Sequence, residues 1–547
     1  MRRIIPASRV PARHLARGGV LWGLAGAVIA VLLWPVLSVP LTAEGRAALV
    51  GVVVNQHRLV TGTLTLALVT GLAGTIGGAL LAGVHHRFRF RGRRLLQLMV
   101  LSQLLMPPVA PAIALLQLWG HNGLAARLLG WHSVPVYGFA GLAAAEVMTL
   151  LPLAHLVILG GLSNLDRALV EQARDMGASE THVLTRIVLP RMRGALAGAF
   201  LLLVARAAVD ITNPLALGGS YPVLSTRLRD AAVGEGDMTG AGACGLALLA
   251  ICAVAALAVP GRDHLPVQER LRRHRRVRPT GMWDWALVTA AWVVASVEVL
   301  PLVVCAVASV LTPTAGLTGG HYIELFTSDT TRLAVSDSLL VSAVTVVAAT
   351  SIALAVLVIS PRAGPASISR VLLASTTPIL PLALGALHWW RRPLWGAASG
   401  WVVLGLVATI TTIGSAPMMI TLLRQRLASM TPGAAESAAG LAVRPRQIIG
   451  PLAVPHLSVV MPMMLIVTLA EAVTSLAPVV LFNGADTPFL ATRLITDVES
   501  GQLGRASALA VTSAALLGTL GGCAAVLAAP LRRVTVTGVG ALDEVRA

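Results

Sequence analysis

Apolar residues gather along this chain into runs of about 20, the length a helix needs to cross a bilayer, with neither the strand alternation nor the one-faced stripe of a soluble helix. Twelve such runs can be read, at approximately 19–41, 61–84, 95–119, 137–162, 195–217 and 238–260, then 283–311, 335–359, 369–390, 401–423, 457–482 and 505–530. The pattern predicts an all-α integral membrane protein of about 12 transmembrane helices. The first run follows several arginines, as a signal peptide would. It is long enough to span and lacks a convincing cleavage site, so a retained first helix is expected.

Polar positions orient the runs. Arg2, Arg3, Arg9, Arg13 and Arg17 precede the first; Arg87, Arg89, Arg91, Arg93 and Arg94 follow the second; Arg262, Arg270, Arg272, Arg273, Arg275, Arg276 and Arg278 fill the centre. These stretches alternate with arginine-poor ones, and cytoplasmic loops are the ones that collect positive charge. Both termini are therefore expected inside. Arg391 and Arg392 fall on the expected outside, beside Trp389, Trp390 and Trp395, where they can snorkel at an aromatic belt.

Composition sharpens this reading. Hydrophobic residues make up 56% of the 547 and charged residues 12%, far from the soluble range. The net charge of +18 would suggest nucleic acid in a soluble chain, but here it belongs to membrane topology. All 42 basic residues are arginine. A phosphate-binding loop of the G-x-x-x-x-G-K-[ST] kind needs its lysine, so any ATP hydrolysis would reside on a partner and no cofactor is expected on this chain. Cys244, Cys252, Cys305 and Cys523 lie in apolar stretches without metal-ligand spacing and read as small core residues.

The chain also repeats itself. Glu171 to Pro190 reads EQARDMGASETHVLTRIVLP, and Glu436 to Pro455 reads ESAAGLAVRPRQIIGPLAVP, 265 positions later. Pro152 and Pro417 precede the two acids by the same interval, and Pro222-Val-Leu-Ser-Thr-Arg-Leu228 is echoed by Pro488-Phe-Leu-Ala-Thr-Arg-Leu494. An internal duplication follows. Its parts are a tail over 1–18, a six-helix repeat over 19–260, a basic linker over 261–282, a second six-helix repeat over 283–530, and a tail over 531–547. An even helix number inserts both repeats in the same orientation, so they should be parallel and related by an axis along the membrane normal.

Glu-x-Ala, three residues, Gly, nine residues, Ile-x-Leu-Pro resembles the EAA loop of the permease subunits of binding-protein-dependent ATP-binding-cassette importers. The first copy fits at Glu171, Ala173, Gly177, Ile187, Leu189 and Pro190; the second fits at Glu436, Ala438 and Pro455, with Ala442 in place of glycine and Leu452 in place of isoleucine. Two copies in one chain look like the fused permeases of the iron(III), thiamine and phosphonate type. The resemblance implies two copies of an ATPase subunit docked on the two loops, with Mg-ATP held there, and an extracytoplasmic binding protein that delivers a small solute. It also implies a bacterial cytoplasmic membrane location. Small residues would let the loop helix lie closely on the ATPase, and Gly177 can take a positive φ to turn the chain.

Charges inside membranes are expensive and often functional. Arg206 and Asp210, four apart in the fifth run, can pair on one helix face, and Glu471 is the counterpart in the eleventh. Asp210 precedes Asn213-Pro214, and Glu471 precedes a stretch ending at Asn483-Gly484, so polar breaks are expected near both outer ends. Arg206, Asp210, Asn213, Glu471 and Asn483 are the candidate pathway residues, against the plainer reading of a structural pair. Glu146, His155 and Glu298 read as interhelical hydrogen-bonding groups, His85-His86 as a poor metal site, and Met418, Met419, Met461, Met463 and Met464 as packing. Nothing resembles a catalytic constellation, so a transporter subunit rather than an enzyme is expected. Two other classes stay open: a twelve-helix secondary transporter driven by an ion gradient, and a non-transporting scaffold.

Overall fold

The structure, a computed structural model, describes residues 26–120, 123, 136–163, 165, 167–258, 277–312, 316–359, 379–390, 400–428, 461–482 and 487–544. Among the described residues it is all-α, apart from one hairpin of two-residue strands, Leu311–Thr312 and Gly316–Leu317. Among the described residues eight helices are long and apolar enough to cross a membrane: His57–Arg87, Phe139–Ser163, Glu180–Val209, Met238–Ala258, Met282–Val310, Asp329–Val356, Gly400–Ile420 and Leu503–Cys523. Gly26–Leu37 and Ile379–Trp390 are shorter apolar helices at two further expected positions.

The third run is not one straight helix. Arg93–Leu105 and Ala110–Trp119 meet at 102° across Met106 to Val109. Hydropathy reads the run as continuous because Pro107 and Pro108 are apolar. Proline forces its predecessor out of the helical region, and Met106 sits at φ −81°, ψ 147°. The fifth run departs too. Its helix begins within the loop at Glu180, passes a π turn at Leu184–Val188, and stops at Val209, after which Thr212–Leu217 forms a separate short helix. The last helix runs Leu503–Glu544, well past the expected end at 530. Arginines at Arg532 and Arg533 end the apolar run but not the backbone helix. Cys244, Cys252 and Cys305 are buried as expected, whereas Cys523 is exposed on that helix.

Close packing rests on small residues, as it must where lipid removes the hydrophobic drive between helices. Gly71, Gly74 and Gly78 of the His57–Arg87 helix lie against Val204, Leu203 and Ala154 of two neighbours. Gly385 lets the Leu32 carbonyl approach the Ile379–Trp390 helix, where Trp389 Nε1 donates to Val31 O at 2.9 Å.

Elements in the two expected repeats have some features in common. His57–Arg87 and Asp329–Ile359 are both 31 residues long. Phe139–Ser163 and Gly400–Ala428 each carry an internal proline, Pro152 and Pro417. Leu224 N donates to Thr63 Oγ1 at 2.9 Å, and Leu490 N donates to Ser338 Oγ at 2.9 Å. Ala110–Trp119 packs on the Leu503–Glu544 helix, and Ile379–Trp390 packs on Met238–Ala258.

A Cβ at Gly78 would stand 2.8 Å from both Ala154 Cβ and His155 N, the latter in rigid backbone, whereas at Gly83 it would meet nothing within 4 Å. Gly78→Ala should therefore cost about 1–3 kcal/mol through overpacking and lower the thermal midpoint in detergent, with Gly83→Ala neutral. Equal midpoints for the two variants would contradict this packing.

Candidate functional site

The first loop is built around a helix stop. Arg167–Asp175 forms a helix with Glu171, Gln172, Arg174 and Asp175 exposed and Ala173 half-buried. Gly177 closes it at φ +81°, the left-handed conformation that glycine adopts at least cost. Gly177 N donates to Arg174 O at 2.9 Å and Ala178 N to Ala173 O at 2.9 Å, satisfying two terminal carbonyls. Met176, 86% exposed, projects from the turn. Ser179 then caps the next helix, its hydroxyl accepting from His182 N at 3.3 Å. Ile187 lies half-buried in the π turn, and Leu189 and Pro190 open the membrane helix that follows.

A ladder of charges fastens this loop to the bundle. Arg174 holds Glu180 with two bonds, at 2.8 and 3.1 Å; Glu180 reaches Arg87 at 3.3 Å, and Arg87 reaches Asp284 at 3.7 Å. Phe88 and Val277 bridge alongside, with Arg89 N donating to Val277 O at 2.8 Å. The arginine-rich second connection, the first loop and the segment after the central linker thus share one end of the bundle. Sequence reasoning missed this ladder. Ser179 ahead of Glu180 is a local signal from which the cap could have been read, but nothing in the spacing shows that residue 87 meets residue 180.

The membrane-embedded polar groups lie toward the other end. Arg206 is about 24 Å of helix beyond Pro190, at 1.5 Å per residue. Its Nη1 donates to Glu471 Oε1 at 3.0 Å, joining the two halves. The two side chains keep 24% and 21% of their surface. The expected pairing of Arg206 with Asp210 along one helix face does not form. Asp210 has left the helix at φ −64°, ψ 137°, and its Oδ2 accepts instead from Asn213 N at 2.9 Å, capping the next short helix.

Around Asp210 the broken segments converge. The Thr149 hydroxyl, which also bonds Ala145 O at 2.8 Å, reaches Pro108 O at 3.3 Å, a carbonyl left by the proline break, and Asn213 Nδ2 donates to Thr149 Oγ1 at 3.4 Å. Fully buried Glu146 stands against Asp210 and Asn213. Nearer the Glu171 loop, buried His155 lies edge-on to His85, ring centroids 6.2 Å apart; Glu298 is buried on the Met282–Val310 helix. Beyond the membrane segments at the Asp210 end, two hydrogen bonds from Arg227 hold the Glu235 carboxyl below its usual range. Arg505 similarly ties Glu324 to buried Asp497.

Glu436, Ala438, Ala442, Leu452 and Pro455 of the second loop, and Asn483, lie outside the described residues, as do Arg391 and Arg392. Of the candidate pathway residues, the structure joins Arg206 to Glu471 and Asp210 to Asn213.

The Gly177 turn has open space around it but a backbone that other residues resist. Gly177→Val should cost about 1–2 kcal/mol locally and speed hydrogen exchange at the Ala178 amide, leaving the global thermal midpoint unchanged. Unaltered exchange there would contradict the left-handed stop.

Residues 74–261 match the family described as the binding-protein-dependent transport system inner membrane component. Ferric transport system permease proteins of Haemophilus influenzae and Actinobacillus pleuropneumoniae are 26% identical over 176 residues and 25% identical over 184, each across 31% of this chain. The spermidine/putrescine transport system permease protein PotC of Haemophilus influenzae is 29% identical over 167 residues, 30% of this chain. The chain spans 28%, 26% and 61% of the lengths of these three relatives. Over residues 74–261, then, this integral membrane protein is similar to the inner membrane components of binding-protein-dependent transport systems.

Proposed function

We propose that the chain is the fused permease subunit of such an importer, with both halves forming one translocation pathway. The observation that carries this reading is the loop at Glu171 to Pro190: a short exposed helix stopped by left-handed Gly177, braced by Arg174, Glu180 and Arg87, and continuous with a membrane helix. Glu171, Ala173, Gly177, Ile187 and Pro190 would receive one ATPase subunit, and Glu436, Ala438, Ala442, Leu452 and Pro455 a second. Those partners would hold Mg-ATP and hydrolyse it, since this chain has no lysine for a phosphate loop. An extracytoplasmic binding protein would deliver the solute. The positive-inside rule places the arginine-rich end, both loops and both termini in the bacterial cytoplasm.

Arg206, Asp210, Asn213, Glu471 and Asn483 are assigned to the pathway. Iron(III), thiamine and phosphonate are the substrate classes favoured by the fused architecture. The relatives' names add a polyamine and retain ferric iron. An ion-driven secondary transporter would leave the duplicated loop without a task.

The test is ATP hydrolysis by the chain reconstituted in lipid with its ATPase and binding protein, scanned over iron(III), thiamine, phosphonate, sulfate and spermidine. One ligand should stimulate hydrolysis severalfold, and Glu171→Ala combined with Glu436→Ala should abolish that stimulation while membrane insertion stays intact. Failure of the ATPase to associate with a folded permease would overturn the importer reading.

A further inference from the structure

Arg206 and Glu471 are 265 positions apart, the same offset that relates the two loops at Glu171 and Glu436. Each therefore occupies the position of the other in its own half. Under a two-fold axis, a side chain can touch its own symmetry mate only beside that axis. The packing of Ala110–Trp119 on Leu503–Glu544 and of Ile379–Trp390 on Met238–Ala258 fits the same isologous arrangement. The 3.0 Å ion pair thus marks the centre line of the assembly, toward the end away from the Glu171 loop.

At that spot a symmetric pair of identical chains would bring two arginines or two glutamates together, which repel. Fusion into one chain permits opposite charges. The remaining exposure of both groups, 24% and 21%, shows that they are not sealed into a packed core.

We propose that Arg206 and Glu471 form a charged gate, a guanidinium–carboxylate latch that closes the pathway at the end distal to the Glu171 loop and separates when that end opens. This rests on the permease reading and assigns the closing element of the pathway. The latch contributes one charge of each sign from opposite walls. Separated, it presents a cationic and an anionic group to a passing solute, so it also filters by charge.

The experiment needs neither ATPase nor binding protein: passive efflux of radioactive rubidium and chloride from vesicles containing the purified chain alone. The wild-type protein should be tight to both. Arg206→Gln leaves the Glu471 carboxylate and should raise rubidium efflux severalfold over chloride. Glu471→Gln leaves the guanidinium and should favour chloride. The exchanged pair, Arg206→Glu with Glu471→Arg, should be tight again. As a control, Arg332→Gln with Asp329→Asn, an exposed pair, should leave efflux unchanged.

If a variant fails to fold, Arg206→Cys with Glu471→Cys, in a chain whose Cys244, Cys252, Cys305 and Cys523 are replaced by serine, supplies a second measure. That pair should be bridged within the chain by a short bifunctional maleimide, whose arm replaces the reach of the two removed side chains. Tight single variants, leakage without charge preference, an exchanged pair as leaky as the single variants, or no cross-link would each overturn the gate. None of these outcomes touches ATPase coupling through Glu171, so the gate and the importer reading fail separately.

Discussion

Every backbone polar group inside a bilayer must find its partner within the protein, and that requirement governs where this chain can depart from helix. It departs within the membrane segments at Met106–Val109 and at Asp210, and the two breaks meet. The carbonyl left at Pro108 is reached by the Thr149 hydroxyl; the amide freed at Asn213 takes the Asp210 carboxylate; Asn213 closes the circuit onto Thr149. Irregular backbone at membrane depth is tolerated where it lies in protein or lines a cavity. The polar groups therefore cluster because the breaks cluster, with Glu146 fully buried beside them.

Legibility in the sequence followed the physics of each signal. Apolar runs located the helices because a bilayer demands their length, and the described helices fall at the expected positions. Helix ends were less legible. Hydropathy marks where lipid stops, so it placed the fifth span at 195 although its helix starts at Glu180, and it ended the last span at 530 although the helix continues to Glu544. The Pro107-Pro108 break was written in the sequence but masked by proline's apolar side chain.

The site shows the same division. Gly177 as a left-handed stop was readable, since a short polar helix needs a terminator and glycine supplies it. The partner of Arg206 was not. An i, i+4 rule assumes both residues stay on one helix, and Asp210 turns away after Val209. The true partner, Glu471, lies in the eleventh run, where no local spacing relates it to Arg206. The ladder of Arg174, Glu180, Arg87 and Asp284 is likewise tertiary, joining residues that no local period relates.

Both ends of this device share one element. The Glu180–Val209 helix begins in the loop, where Glu180 is gripped by Arg174 and Arg87, and ends just beyond Arg206, which grips Glu471. A force on the loop is applied to the same rod that carries half of the ion pair. The π turn at Leu184–Val188 lies between them, a local departure of the kind that often marks functional sites and serves as a bend. Such a connection can shift the balance between a closed and an open pathway only through contacts that differ in the two states. The ladder is half-exposed and therefore weakly held, so it can rearrange at small cost. The ion pair lies within the membrane span, where a lone charge is expensive, so its two members separate only if something else, water or solute, takes the place of each partner. On the proposed reading, coupling of this kind would tie opening at the distal end to the arrival of polar contents in the pathway, and so keep the permease from leaking while it waits.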